Sequence, residues 1–145
     1  MKTFIIIGLL VTLAGCNSQK TASKQAYTEP IQLENTYWTL IEFDGKPTPA
    51  SVEGKVHLQL SDEDKTLSGS NGCNRLMGSY EISNGVHLSF SKNATTRMAC
   101  QLNGWDEMKF NQALGSISNF TISGNRLMLN TETKAPIAIF EATPL

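Results

Sequence analysis

Tyr80-Glu81-Ile82-Ser83-Asn84-Gly85-Val86-His87-Leu88-Ser89-Phe90 decides how the rest of the chain reads. Two short apolar–polar alternations flank Asn84-Gly85, a pair that accepts positive φ and so favours a tight hairpin turn. Val86, Leu88 and Phe90 then share one face of the returning strand, with His87 and Ser89 on the other. Upstream, Val56-His57-Leu58-Gln59-Leu60 alternates in the same way. Ser61 to Lys65 is a polar turn, and Thr66 to Gly69 begins a return strand. Tyr37 to Phe43 has the aromatic and β-branched composition of a strand, broken by the Asp44-Gly45-Lys46-Pro47 turn. Downstream, Phe120-Thr121-Ile122 and Leu127-Met128-Leu129 flank Gly124-Asn125 as a second hairpin, and Ile137 to Phe140 is the last strand.

One segment breaks the period of two. From Trp105 to Leu114 the apolar residues fall at helical spacing, Trp105 to Met108 and Phe110 to Ala113 and Leu114. Asn103 is the expected N-cap, Asp106 and Glu107 suit the positive helix end, and Gly115 is the expected stop. Seven or eight short strands with one helix give a mainly β (α+β) class: an antiparallel sheet curled into an open or cracked barrel around the helix. The expected interior is Trp38, Leu40, Leu58, Leu60, Tyr80, Leu88, Phe90, Phe110, Leu114, Leu127 and Leu129.

The 145 residues suit one domain, and twelve Lys and Arg against thirteen Asp and Glu exclude a basic nucleic-acid footprint. The amino end carries an address. Met1-Lys2-Thr3 precedes eleven apolar residues, Phe4 to Ala14, too few for a bilayer span of about 20 residues but right for a signal peptide. Leu13-Ala14-Gly15-Cys16 resembles the bacterial lipobox, which implies cleavage after Gly15 and lipid on the Cys16 sulfur. By resemblance to enteric sorting rules, Asn17 lacks the acid that retains lipoproteins at the inner membrane, so the periplasmic face of the outer membrane is expected. Residues 1–15 are thus a signal peptide, 16–34 a polar tether and 35–145 the domain.

Leu67-Ser68-Gly69-Ser70-Asn71-Gly72-Cys73-Asn74-Arg75-Leu76-Met77-Gly78-Ser79-Tyr80, with Ala94-Thr95-Thr96-Arg97-Met98-Ala99-Cys100, resembles the META domain family, its heat-shock members in particular. With Trp38 to Leu40 and the Leu127 hairpin, the resemblance covers about residues 35–143. It implies a mainly β cracked barrel with one helix, an association with the envelope, heat stress and novobiocin resistance, and no established enzymatic activity.

The residues themselves leave two readings of the Gly-Cys-Asn loop. Its glycines and asparagines suit a tight loop closing one barrel end, or Asn71, Gly72, Asn74, Arg75 and Arg97 form a recognition loop with an anion-friendly arginine pair. Setting Cys16 aside leaves Cys73 and Cys100, an even number that reads as a disulfide in an oxidising compartment. Two buried free thiols are the alternative. His57 and His87 are the only imidazoles and fall on polar strand faces, so no metal site, cofactor or catalytic residue is expected. The functional expectation is a monomeric, lipid-tethered, non-enzymatic binding or assembly factor. It would meet the membrane through its lipid and an envelope protein through its surface. The alternatives are a carrier of a lipid or hydrophobic ligand, with Met77, Met98, Met108 and Met128 lining the cavity or filling core, and a thiol-redox protein.

Overall fold

The computed structural model describes residues 30–133 and 136–143. The signal peptide, Cys16 and the tether up to residue 29 lie outside them. Alternation builds nine strands: β1 (Tyr37–Phe43), β2 (Lys46–Pro47), β3 (Val56–Ser61), β4 (Thr66–Asn71), β5 (Arg75–Ser83), β6 (His87–Thr95), β7 (Ile117–Ser123), β8 (Arg126–Thr131) and β9 (Ala138–Thr143), with α1 (Glu107–Leu114) between β6 and β7. The pairing is antiparallel throughout, in the order β2-β1-β3-β4-β5-β6-β7-β8-β9, and β1 also pairs with β9. The sheet therefore closes into an eight-stranded ring with β2 appended, and closure removes the free edges an open sheet would leave.

The weakest joint is between β6 and β7. His87↔Asn119 is their single register pair, whereas β1 and β9 match from Tyr37↔Thr143 to Phe43↔Ala138. This seam is the nearest feature to a crack.

All eleven residues expected inside are buried, and Trp38, Tyr80, Phe110 and Phe140 are the largest fully enclosed side chains. Asn84 and Gly85 both take positive φ. The register Ser83↔His87 leaves three residues in that turn, however, so Val86 joins the loop and is exposed rather than facing inward. The methionine expectations fail on both counts for three of the four, Met128 being half-buried on β8. Met77, Met98 and Met108 are 55%, 57% and 67% exposed, so they neither fill the core nor line a cavity. Met77 lies on the outward parity of β5, and Met108 on the solvent side of α1.

The helix starts later than expected. Asp106, not Asn103, is the N-cap, its side chain accepting the Lys109 amide at 2.9 Å. Both residues suit the role, and Asp106 is placed so that Phe110 and Leu114 fall together on the buried face. Gly115 follows the last turn. The helix caps one end of the ring rather than lying inside its curl: Phe110 meets Phe43, where β1 ends, at 5.5 Å between ring centroids.

The opposite end is crossed by the residues just before β1. Leu33 is 6% exposed and joins the core, its carbonyl accepting the Trp38 Nε1 proton at 2.9 Å, while the Asn35 amide donates to Leu60 O. Ile31 to Glu34, assigned to the tether on composition, are therefore part of the packed domain. Two apolar side chains at a spacing of two were too few to outweigh their polar neighbours.

Candidate functional site

β4 ends at Asn71 and β5 starts at Arg75, so residues 72–74 turn the chain at the helix-capped end. Gly72 has φ +104°, and a Cβ there would meet Val52 Cγ1 at 3.0 Å and Trp105 Nε1 at 3.3 Å. Glycine is required by conformation and by space together. Asn71 is buried. Its Oδ1 accepts the Asn74 amide at 2.8 Å and the Cys73 amide at 3.3 Å, and its Nδ2 donates to Asn111 Oδ1 at 3.3 Å. Its carbonyl accepts Trp105 Nε1–H at 2.7 Å.

Asn74 is also buried and points the other way. Its Oδ1 accepts the Met98 amide at 2.7 Å and the Thr96 hydroxyl at 3.0 Å, while Nδ2 donates to Glu107 Oε2 at 3.2 Å. The Thr96 hydroxyl oxygen accepts the Arg75 amide at 3.0 Å. Among the described residues no buried side-chain polar atom lacks a partner. Cys73 and Cys100 are disulfide-bonded, with Cα atoms 5.9 Å apart, and fasten the loop to the strand–helix connection.

The loop is thus a rigid cap. Of the residues assigned to recognition, Asn71, Gly72 and Asn74 are committed to the fold, and only the exposed Arg75 and Arg97 face solvent. Sequence reasoning missed Thr96, Glu107 and Asn111. A signal existed for the last two: 107, 110, 111 and 114 share one helix face, where two polar residues among Phe110 and Leu114 call for buried partners.

Beside this cap, Phe43, Pro47, Pro49 and Trp105 line a cleft bordered by the Asp44–Lys109 ion pair. Trp105 packs on Phe43 and Phe110 with centroids 5.5 and 5.4 Å apart. The Asp44 carboxylate holds the Lys109 ammonium above its ordinary range.

A second polar cluster lies at the other end. The Tyr80 hydroxyl is 2.5 Å from Glu34 Oε1 and 2.8 Å from the Ser61 carbonyl, and Lys65 Nζ is 2.7 Å from Glu34 Oε1. The hydrogen bond from Lys65 first, then that from Tyr80, holds the Glu34 carboxyl below its usual value. Burial first, then the hydrogen bond to Glu34 and its charge, push the Tyr80 phenol up.

His57 stacks on Tyr37 at 4.6 Å, and His87 is exposed on β6. Two strands separate β3 from β6, about 14 Å at ordinary strand spacing, so the imidazoles do not converge. No group of metal-ligating side chains occurs among the described residues, nor a helix long and apolar enough to cross a membrane.

These features define a small closed antiparallel barrel with a loop-and-helix cap. The META domain family model matches residues 31–144, and the chain belongs to the META domain family. The match begins at Ile31, where the packed chain begins. A protein from Burkholderia xenovorans, solved by NMR, is 27% identical with a TM-score of 0.63, over 88% of this chain and 99% of its own. A DUF4847 family protein from Bacteroides vulgatus, at 15% identity and a TM-score of 0.55, covers 75% of this chain and 93% of its own and shares the fold. No curated protein matches the chain.

Proposed function

We propose that this META domain is a lipid-anchored, non-enzymatic protein at the periplasmic face of the outer membrane. It works by binding or helping to assemble envelope partners under stress, including tolerance to novobiocin. The observation that carries this reading is the filled interior. Trp38, Phe110, Phe140 and the inward leucines occupy the ring, so recognition is left to the outer surface. Family membership and the lipobox-like Leu13-Ala14-Gly15-Cys16 support the envelope setting.

Carriage of a lipid or hydrophobic ligand inside the ring is the second reading, and it requires core side chains to move aside. Native mass spectrometry after gentle extraction separates the two: a co-purifying lipid favours carriage. Fatty-acid labelling tests the anchor. Cys16→Ser removes the only sulfur at the lipobox position and is expected to abolish incorporation, and label that survives overturns anchoring. Photo-crosslinking from outward positions in living cells is expected to trap envelope proteins. Absence of protein adducts from every outward position would overturn the binding reading.

A further inference from the structure

The asparagine-bonded cap also arranges what lies on its outer side. Arg75 follows Asn74 directly, and Met77, two residues on, shares its outward face of β5. Arg97 sits between Thr96, whose hydroxyl donates to Asn74 Oδ1, and Met98, whose amide donates to the same oxygen. The Arg75 amide donates to Thr96 Oγ1 at 3.0 Å, and the Thr96 amide to the Arg75 carbonyl at 3.1 Å. Two segments, each carrying an arginine and a methionine, are thereby fixed side by side, and the Cys73–Cys100 bond closes the ring that contains both. All four side chains are exposed.

The charge around this patch has one sign. Residues 66–80 and 82–105 contain no Asp or Glu, but they hold Arg75, Lys92 and Arg97. Lys92, at φ +54°, lies in the β6 bulge opposite the step from Met77 to Ser79. Among the described residues none of the three cations pairs with a carboxylate, and Glu107, reaching in from α1, is turned onto Asn74 Nδ2. Arginine and methionine are enriched where proteins meet, arginine for bidentate carboxylate contacts and methionine for adaptable apolar packing. On a backbone already fixed, they cost less entropy to engage. Position selects among anionic occupants. The chain enters the ring at the end that Leu33 crosses, so a lipid on Cys16 leaves this cap facing away from the bilayer. The acidic turn of a second copy, Asp62-Glu63-Asp64, offers carboxylates but no apolar side chain for the methionines.

We propose that Arg75, Met77, Arg97 and Met98, with Lys92 on the rim, form the docking surface for an acidic segment of a partner protein, one that carries apolar side chains among its carboxylates. The proposal rests on the binding reading above and on the anchor that orients the domain, and it names the surface and its partner's chemistry. The arginines supply the selection for charge and the methionines the apolar contact.

The test uses the full chain and a synthetic peptide alternating glutamate with leucine, with lysine–leucine and glutamate–serine counterparts as controls. Amide hydrogen exchange should slow at residues 75–77 and 96–98 with the glutamate–leucine peptide and not with the lysine peptide. Binding should weaken when serine replaces leucine. The double variant Arg75→Ala, Arg97→Ala, both surface positions, should weaken the glutamate–leucine peptide by about tenfold or more at an unchanged urea midpoint. Protection elsewhere, equal binding of either control peptide, or an unchanged affinity in the variant would overturn the surface. Protection of the same residues without peptide overturns it too. If it appears in phosphatidylglycerol vesicles and not in phosphatidylcholine, the patch belongs to the membrane; if it grows with protein concentration, to a second copy. In living cells a photo-crosslinker at Met77 or Met98 is expected to trap an envelope protein. Protein adducts from other outer positions alone would sink this surface while leaving the binding-factor reading standing.

Discussion

Asn74 sits where three chain segments meet, holding the Thr96 hydroxyl, the Met98 amide and the Glu107 carboxylate at once. Alanine there removes three hydrogen bonds and leaves the part-buried Met98 amide and Glu107 carboxylate without this partner, at about 0.5–1.5 kcal/mol per bond. Asn74→Ala is therefore expected to lose at least about 2 kcal/mol in urea titration, whereas alanine at the exposed Arg75 should change little. Glu34 gives a pH-dependent counterpart. Its folded carboxyl value is lowered from 4.5, so its contribution is present above the unfolded value and is lost as pH falls through the folded one. Wild type should be more stable than Glu34→Gln near neutrality, and the gap should close on acidification below about pH 4.5. Urea midpoints across that range read it directly. Equal stability of the two near neutrality would show that packing of Leu33, not the charge, holds this segment.

At the scale of elements, the disulfide joins residues 27 apart in sequence, tying the loop to the approach of α1. Chain-entropy arithmetic for such a ring gives about 3–4 kcal/mol. Cys73→Ser with Cys100→Ser should lower stability by up to that amount, by less to the extent that the Asn71 and Asn74 bonds persist. Intact mass after alkylation in denaturant, with and without reductant, establishes the bond itself. The strands were legible because alternation with turn residues is a local signal: Leu58 and Leu60, Leu88 and Phe90, Leu127 and Leu129 all face inward as read. What was not legible came from competition or distance. Asn103 and Asp106 both suit a cap, and the choice between them depends on where Phe110 must point. Asn71 and Asn74 announce a turn, but their partners outside the loop lie 22 to 40 residues away and no local pattern names them.

At the scale of the molecule, two caps close a ring whose ends differ in chemistry. One is an asparagine-bonded loop and helix, the other the Leu33 crossing latched by Glu34 and Tyr80. Deleting residues 31–34 would remove Leu33 from the core together with the carbonyl that accepts the Trp38 indole proton. It should destabilise the domain by about 2–5 kcal/mol, the range for losing a buried leucine. A stability unchanged by that deletion would place the domain start after residue 34, as composition alone suggested.

Joining β1 to β9 also sets an order of events in time. Thr39 and Thr143 hydrogen-bond across 104 positions, so the first strand of the ring waits for the last before it has both neighbours. Contacts this remote make for slow, late-committing kinetics, in the millisecond-to-second range typical of such topologies at about this size. Synthesis from the amino end therefore cannot finish the molecule piecemeal. A nascent chain halted before Ala138 should stay open to protease along β1, and resistance should arrive in a single step once the terminal strand is supplied.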